Sequence, residues 1–197
     1  MPLMPLRCSW CGDDPLYVHY HDTEWGFAVR NDQKLFEKIC LEGFQAGLSW
    51  ITILRKRENF RQAFFNFDIE QVAAFSLDDV VRILGDAGVV RHRGKIEATI
   101  NNAQRCKELF ATNESLAAFI WSFAPTDAEQ KAERAAGIPV QTQASQRLSK
   151  ELRKRGWKFV GPTTMYAFMQ SMGIVNDHAA GCHVYDECER LRRQALL

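Results

Sequence analysis

Apolar residues along this chain recur at spacings of three, four and seven. Leu35, Phe36, Ile39, Cys40 and Phe44 fall on one face of a single helix, and Ile96, Ile100 and Ala103 mark another. Local start and stop signals punctuate the pattern. Asp68 with Gln71 predicts a capping box ahead of Val72, Ala73 and Phe75. Ser76 with Asp79 predicts a second, before Val80, Ile83 and Leu84, with Gly85 or Gly88 to end that helix. Ser115 is placed to cap a helix carrying Phe119 and Ile120. Leu148 and Leu152 belong to a helix that Gly156 closes, and Pro162 suits the first position of one containing Met165, Phe168, Met169 and Met172. No period-two alternation competes with these stripes. The weakest stretch, Ala124 to Gln143, is polar and alanine-rich with Pro125 and Pro139, and reads as a loop with a short helix. The prediction is an all-α protein of roughly eight or more short helices, with residues 1–197 forming a single domain.

Composition narrows the partners. With 197 residues, one domain is the expectation, and 46% hydrophobic residues suffice for a core. Basic and acidic residues number 25 and 24, so no field over the whole molecule attracts nucleic acid; any such contact needs a local patch. No apolar run approaches the roughly 18 residues that span a bilayer. The start, Met1 to Arg7, lacks the charged and apolar regions of a signal peptide. Six cysteines in such a chain suggest reduced thiols or metal ligands rather than a disulfide framework. A cytoplasmic monomer without a membrane partner is expected.

The segment Leu148 to Tyr166 supplies a local patch. It reads as a helix, a hairpin bounded by Gly156 and Gly161, and a second helix begun by Gly161-Pro162-Thr163, the whole occupying about residues 145–172. Free N–H groups at such a helix start bind phosphate. Lys150, Arg153, Lys154, Arg155 and Lys158 surround it. An ordinary αα-hairpin with a solvated basic face is the competing reading. Gly88 to Lys95, with Arg91, His92 and Arg93, has similar chemistry and is a second candidate for backbone contact.

Cys8 and His21 near the start, and His178 and Cys182 four residues apart near the end, form a donor set that suits tetrahedral zinc. Such an ion would tie about residues 8–21 to 178–182. Cys11, His19, His183 and Cys188 are nearby rivals from spacing alone, and unliganded thiols and surface histidines are the plain alternative. Cys40 and Cys106 sit in helical stripes and read as core. Tyr17 to Gly26 is dense in aromatics, and Glu42 interrupts an apolar stretch shortly before Trp50. A carboxylate there needs donors or a cavity, and rings offer stacking platforms. The alternative puts Glu42 on the wet side of its helix and the tryptophans in the core.

Several long stretches together resemble the DNA-3-methyladenine glycosylase I family: Asp14-Pro15-Leu16-Tyr17, Tyr20 to Gly26, Leu41 to Trp50, Arg91 to Ile96, Lys158 to Thr163, and Val175 to Cys182. The resemblance runs from about Cys8 to Cys182. It implies the helix-hairpin-helix glycosylase fold, with DNA-backbone contacts at Gly156, Lys158, Gly161 and Thr163. It implies structural zinc held by Cys8, His21, His178 and Cys182. It also implies a base pocket with Glu42 and Tyr20 as catalytic residues, Trp50 as stacking platform, and Trp10 and Tyr17 in the lining. Double-stranded DNA containing alkylated adenine would be the substrate and free 3-methyladenine the product.

The expected chemistry follows from charge. Methylation at N3 makes the base cationic in the nucleotide, which an anionic Glu42 favours, and a cationic base leaves readily. The helix from Pro162 to Gly173 has no lysine for a Schiff base, so hydrolysis without strand cleavage is expected. Asp177 lies where related enzymes carry a catalytic aspartate, but is expected to orient His178 instead. A DNA-binding module without catalysis and a zinc-dependent hydrolase of another substrate are the rival functions.

Overall fold

The computed structural model describes residues 5–135 and 137–197. Met1 to Met4, part of the segment considered for a signal peptide, lie outside these. Among the described residues there are eleven α-helices and no strand: α1 (Pro15–Thr23), α2 (Asp32–Gln45), α3 (Trp50–Ala63), α4 (Ile69–Ala73), α5 (Leu77–Gly85), α6 (Arg93–Phe110), α7 (Leu116–Trp121), α8 (Asp127–Arg134), α9 (Gln143–Lys154), α10 (Pro162–Ser171) and α11 (Tyr185–Ala195).

The helices begin where side chains can satisfy their first N–H groups. Asp14 caps α1 with Pro15 in its first turn, and Asn31 caps α2. Ser76 and Asp79 form the expected reciprocal box on α5. Asp68 accepts from Gln71 N at 2.9 Å, but α4 has only this half of the expected box. Thr126 and Glu129 build a full box on α8, the short helix of the weak stretch, which buries none of its side chains. Gly156, at φ +82°, follows the end of α9 in the left-handed region that a closing glycine adopts readily.

α2 is the central element. Its buried run from Lys38 to Phe44 packs among α3, α6, α7 and α10. Phe44, Phe60, Phe64 and Phe67 are essentially inaccessible and in mutual ring contact. Each such ring contributes about 1.5–3 kcal/mol by leaving water, so the core fixes α2 and α3 against each other. Gly43 lets the hairpin between α9 and α10 approach: a Cβ there would lie 3.2 Å from Cβ of Phe159. Glu42, one residue earlier, is thereby held on a helix packed from several sides.

Candidate functional site

Glu42, Tyr20 and Trp50 meet. They line a cavity of about 310 Å³ with Trp10, Tyr17, Trp25, Lys38, Gln45, Ile138, Ala167 and Gln170. Tyr20 and Trp50 are tilted across it with ring centroids 5.5 Å apart, and Tyr17 stacks 6.5 Å from Tyr20. α1 provides the tyrosines, α2 the carboxylate, and the first turn of α3 the indole. Glu42 is only 5% exposed. Burial, and then the nearby Glu42 charge, push the Tyr20 phenol well above its ordinary value, so it stays protonated. The Trp50 indole Nε1 is buried with no hydrogen-bond partner among the described residues.

The sequence reading assigned none of Trp25, Lys38, Gln45, Ile138, Ala167 and Gln170 to the pocket, and Lys38 is the charged one among them. It precedes Glu42 by one helical turn, the only sequence signal for it. Its Nζ lies 2.8 Å from Glu42 Oε1 and donates to Tyr20 Oη at 3.0 Å. It also stands 3.1 Å from the Trp50 ring centroid. Burial pulls its pKa down to about 8 against the opposing pull of Glu42.

Beside this cavity, Cys8, His21, His178 and Cys182 form a buried group that could hold a metal ion, their donor atoms all within 4.8 Å of one another. Cys8 Sγ is 3.4 Å from His178 Nδ1, and Cys182 Sγ is 3.5 Å from both His21 Nε2 and His178 Nδ1. The outer nitrogens are held in turn: His21 Nδ1 lies 2.8 Å from Asp22, and His178 Nε2 lies 3.0 Å from the Trp25 carbonyl. Arg7 holds the Asp22 carboxyl down at about 2, so it is ionised at neutral pH. Gly26 makes room for this arrangement, since a Cβ there would lie 2.5 Å from His178 Nε2, at φ +86°. The cluster abuts the pocket through consecutive residues of α1, Tyr20 and His21. Trp10 packs on both, with centroids 6.4 and 5.4 Å away.

Two expectations need correction, and the rival donor Cys11 falls away. Asp177 does not touch the His178 ring; it accepts from Tyr166 Oη at 2.5 Å and Gln170 Nε2 at 3.0 Å, with Arg134 alongside. Asp22 and the Trp25 carbonyl orient the histidines instead. Cys11 donates to the Cys8 carbonyl at 3.2 Å and stands outside the donor group. Lys95, in the second basic segment, is buried and donates to the Phe44 and Ala46 carbonyls at 2.9 and 2.7 Å. It stabilises the C-terminal end of α2, where a cation is favoured, while His92 caps α6.

In the hairpin, the backbone carries Gly156 and Lys158 against α6: Asn101 donates to the Gly156 carbonyl, and Asn102 exchanges bonds with Lys158 N and O at 2.9 and 3.0 Å. Gly161 starts α10 with no side-chain cap, and Thr163 is exposed in the first turn. Lys150, Arg153, Lys154 and Lys158 are exposed and form no salt bridge among the described residues. Arg155 is diverted, paired with Glu151 and Glu114 and lying 4.4 Å over the Phe119 ring.

Comparison with known proteins agrees with this architecture. The family model described as methyladenine glycosylase matches residues 10–185. The DNA-3-methyladenine glycosylase 1 of Escherichia coli (strain K12) is 52% identical over 180 residues, covering 91% of this chain and 96% of that protein. The DNA-3-methyladenine glycosylase of Haemophilus influenzae (strain ATCC 51907 / DSM 11121 / KW20 / Rd) is 47% identical over 182 residues, covering 91% and 97%. A solved structure of the Staphylococcus aureus 3-methyladenine DNA glycosylase I, which addresses 3-methyladenine recognition, superposes with a TM-score of 0.84 at 34% identity, covering 91% of this chain and 96% of that one. On the extent of these matches and the shared helical fold, this chain belongs to the methyladenine glycosylase family.

Proposed function

We propose that this protein excises 3-methyladenine from alkylated double-stranded DNA, with the cavity between Trp50 and Glu42 as the base pocket. Its family makes it an N-glycosyl hydrolase of base excision repair. The observation that carries the residue assignment is a buried carboxylate and an indole lining one cavity, with a protonated phenol between the same walls. A base stacked in the duplex cannot reach such a pocket, so the nucleotide must flip out. The amides of Gly161 and Thr163, at the first turn of α10, hold phosphates during that rotation, aided by the exposed Lys150, Arg153, Lys154 and Lys158. The expected amide contacts at Gly156 and Lys158 are replaced by bonds to the Arg153 carbonyl and Asn102 Oδ1, which shape the hairpin.

The flipped base stacks on Trp50, with Trp10 and Tyr17 in the lining. Glu42 and Tyr20 bond its polar edge, and a charge-assisted bond of this kind contributes about 1.5–3 kcal/mol. The C1′–N bond then breaks, its electron pair passing to the base and cancelling the base's charge. Water adds its oxygen to C1′ and loses a proton. No lysine lies on α10, and the strand stays intact.

The four-donor group suits zinc. Bonds of about 2.3 Å to sulfur and 2.0–2.1 Å to nitrogen put tetrahedral neighbours roughly 3.6 Å apart, close to the 3.4 and 3.5 Å separations here. Held by Cys8, His21, His178 and Cys182, the ion supplies structural cross-linking, and its ligands set the position of α1 and therefore of Tyr20. No helix among the described residues is long and apolar enough to cross a membrane. The reading includes a monomer acting in the cytoplasm.

Incubation with methylated duplex DNA tests the reaction. Release of free 3-methyladenine, leaving an abasic site in an unbroken strand, is the expected result. DNA binding without release would leave only the non-catalytic module, and strand cleavage would contradict the monofunctional chemistry.

A further inference from the structure

The scheme above has no part for Lys38, yet its ammonium occupies the partners that the base requires. It takes Glu42 Oε1 at 2.8 Å, Tyr20 Oη at 3.0 Å and a face of Trp50 at 3.1 Å from the ring centroid. A cation over an indole with a carboxylate alongside is a complete cation site. A helical ion pair made only for stability has no use for this placement: exposed pairs at this spacing suffice for a few tenths of a kcal/mol, whereas taking an ammonium out of water costs several. The lysine also has somewhere to go. Lys38, Tyr20 and Trp50 line a second cavity of about 790 Å³, whose wall also carries Glu24 and Glu37, paired with Arg57 and Arg61.

We propose that Lys38 is the pocket's resident cation, yielding Glu42 and Trp50 to a positively charged base and reclaiming them once bond cleavage has left that base neutral. The inference rests on the base-pocket reading given above. Charge is conserved through the cycle: the substrate base brings one positive charge to Glu42, and cleavage removes it by returning the glycosidic electron pair to the purine. A neutral purine then faces an ammonium that competes for the same carboxylate, phenol and ring. Lys38 thus promotes release of the product and lowers the affinity of any uncharged purine.

The competition depends on the lysine's charge. The groups facing Nζ are Glu42 on its own helix, Tyr20 and Glu24 from α1 and its C-terminal cap, and Arg57 from α3, which is paired with Glu24 at 2.5 and 2.9 Å. Burial brings the lysine to about 8, so it is mostly charged at pH 7 and mostly neutral at pH 9. The free product is neutral throughout that range.

The test is the affinity of the intact protein for free 3-methyladenine between pH 7 and 9, read by tryptophan fluorescence. In the parent, affinity rises about ten-fold, following the fraction of protein whose lysine has released its proton. Lys38→Met binds about ten-fold more tightly at pH 7 and loses the rise. Lys38→Arg, charged at every pH used, stays at the weak level and guards against a methionine variant that does not fold. A structural lysine would give weaker, not tighter, binding on removal. Equal or weaker affinity in a folded Lys38→Met variant, or a flat parent profile, overturns the proposal. If the parent neither binds the base nor releases it from methylated DNA, the pocket reading itself fails and takes this proposal with it. Release from DNA with no dependence on Lys38 refutes the proposal alone.

Discussion

Replacing Glu42 by Gln should destabilise the protein measurably, but by less than breaking a buried ion pair commonly does. Glu42 and Lys38 are about 5% and 7% exposed at 2.8 Å separation, and orphaning one partner of such a pair ordinarily costs about 3–5 kcal/mol. Here the survivor has an escape. Lys38 already sits near 8, so only one unit separates it from losing its proton at neutral pH. That unit corresponds to about 1.4 kcal/mol, and the lost hydrogen bond adds about 1 kcal/mol. The expected loss for Glu42→Gln is therefore about 2–2.5 kcal/mol at pH 7, or a fall in Tm of roughly 4–10 °C at this chain length.

The pH dependence has a definite sign. A lysine depressed in the fold binds fewer protons than in the unfolded chain between about 8 and its ordinary value. Its contribution to stability therefore rises with pH across that window. The deficit of Glu42→Gln should shrink by pH 9, where the parent's lysine is also largely neutral. Denaturant melts of the parent, Glu42→Gln, Lys38→Met and the double variant at pH 7 and 9 form the assay. The double variant should lie within about 1 kcal/mol of the parent, because neither charge is left unpaired. Full stability in Glu42→Gln, or a double variant whose loss is the sum of the singles, would refute the pairing and the magnitude drawn from it.

If the proposed zinc is bound, removing it with a chelator, or making Cys182→Ala, should lower Tm by about 10 °C, equivalent to about 2.5–5 kcal/mol at 2–4 °C per kcal/mol. It should also weaken 3-methyladenine binding, since His21 and Tyr20 are adjacent on α1; an unchanged melt would count against a structural ion. Gly26→Ala should cost about 2 kcal/mol or more, because its Cβ would lie 2.5 Å from His178 Nε2 at φ +86°, and a variant retaining full stability would be inconsistent with the packing. Lys154→Glu with Lys158→Glu should reduce the slope of log affinity for DNA against log salt by about 2, one per phosphate contact, while leaving affinity for the free base alone; a slope equal to the parent's would remove these lysines from the interface.

Much of the fold is legible because its signals are local. The Ser76–Asp79 box and the Pro162 start each depend on residues a turn apart. Even α8, with no buried face, is marked by Thr126 and Glu129. The donor residues and the pocket trio were legible as residue types, and their assembly came from resemblance, because Cys8 and His178 are 170 positions apart. The failures share one cause. Lys38 and Lys95 look solvated by composition, and only tertiary packing buries one on Trp50 and the other on the end of α2. Asp177 looks like a partner for its neighbour in sequence, but Tyr166, Gln170 and Arg134 claim its oxygens. The group that faces the outer nitrogen of His178 is the Trp25 carbonyl, 153 positions away in sequence, which spacing does not report.

The central claim is that Glu42 and Trp50 form the site that receives the alkylated purine and that Lys38 must leave it. A crystal structure of the protein soaked with 3-methyladenine tests this most directly. The account predicts the purine stacked on Trp50 with its polar edge on the Glu42 carboxylate, and the Lys38 side chain withdrawn from the ring into the neighbouring cavity. Base density elsewhere, or a bound base with Lys38 still seated on Trp50 and Glu42, would contradict it.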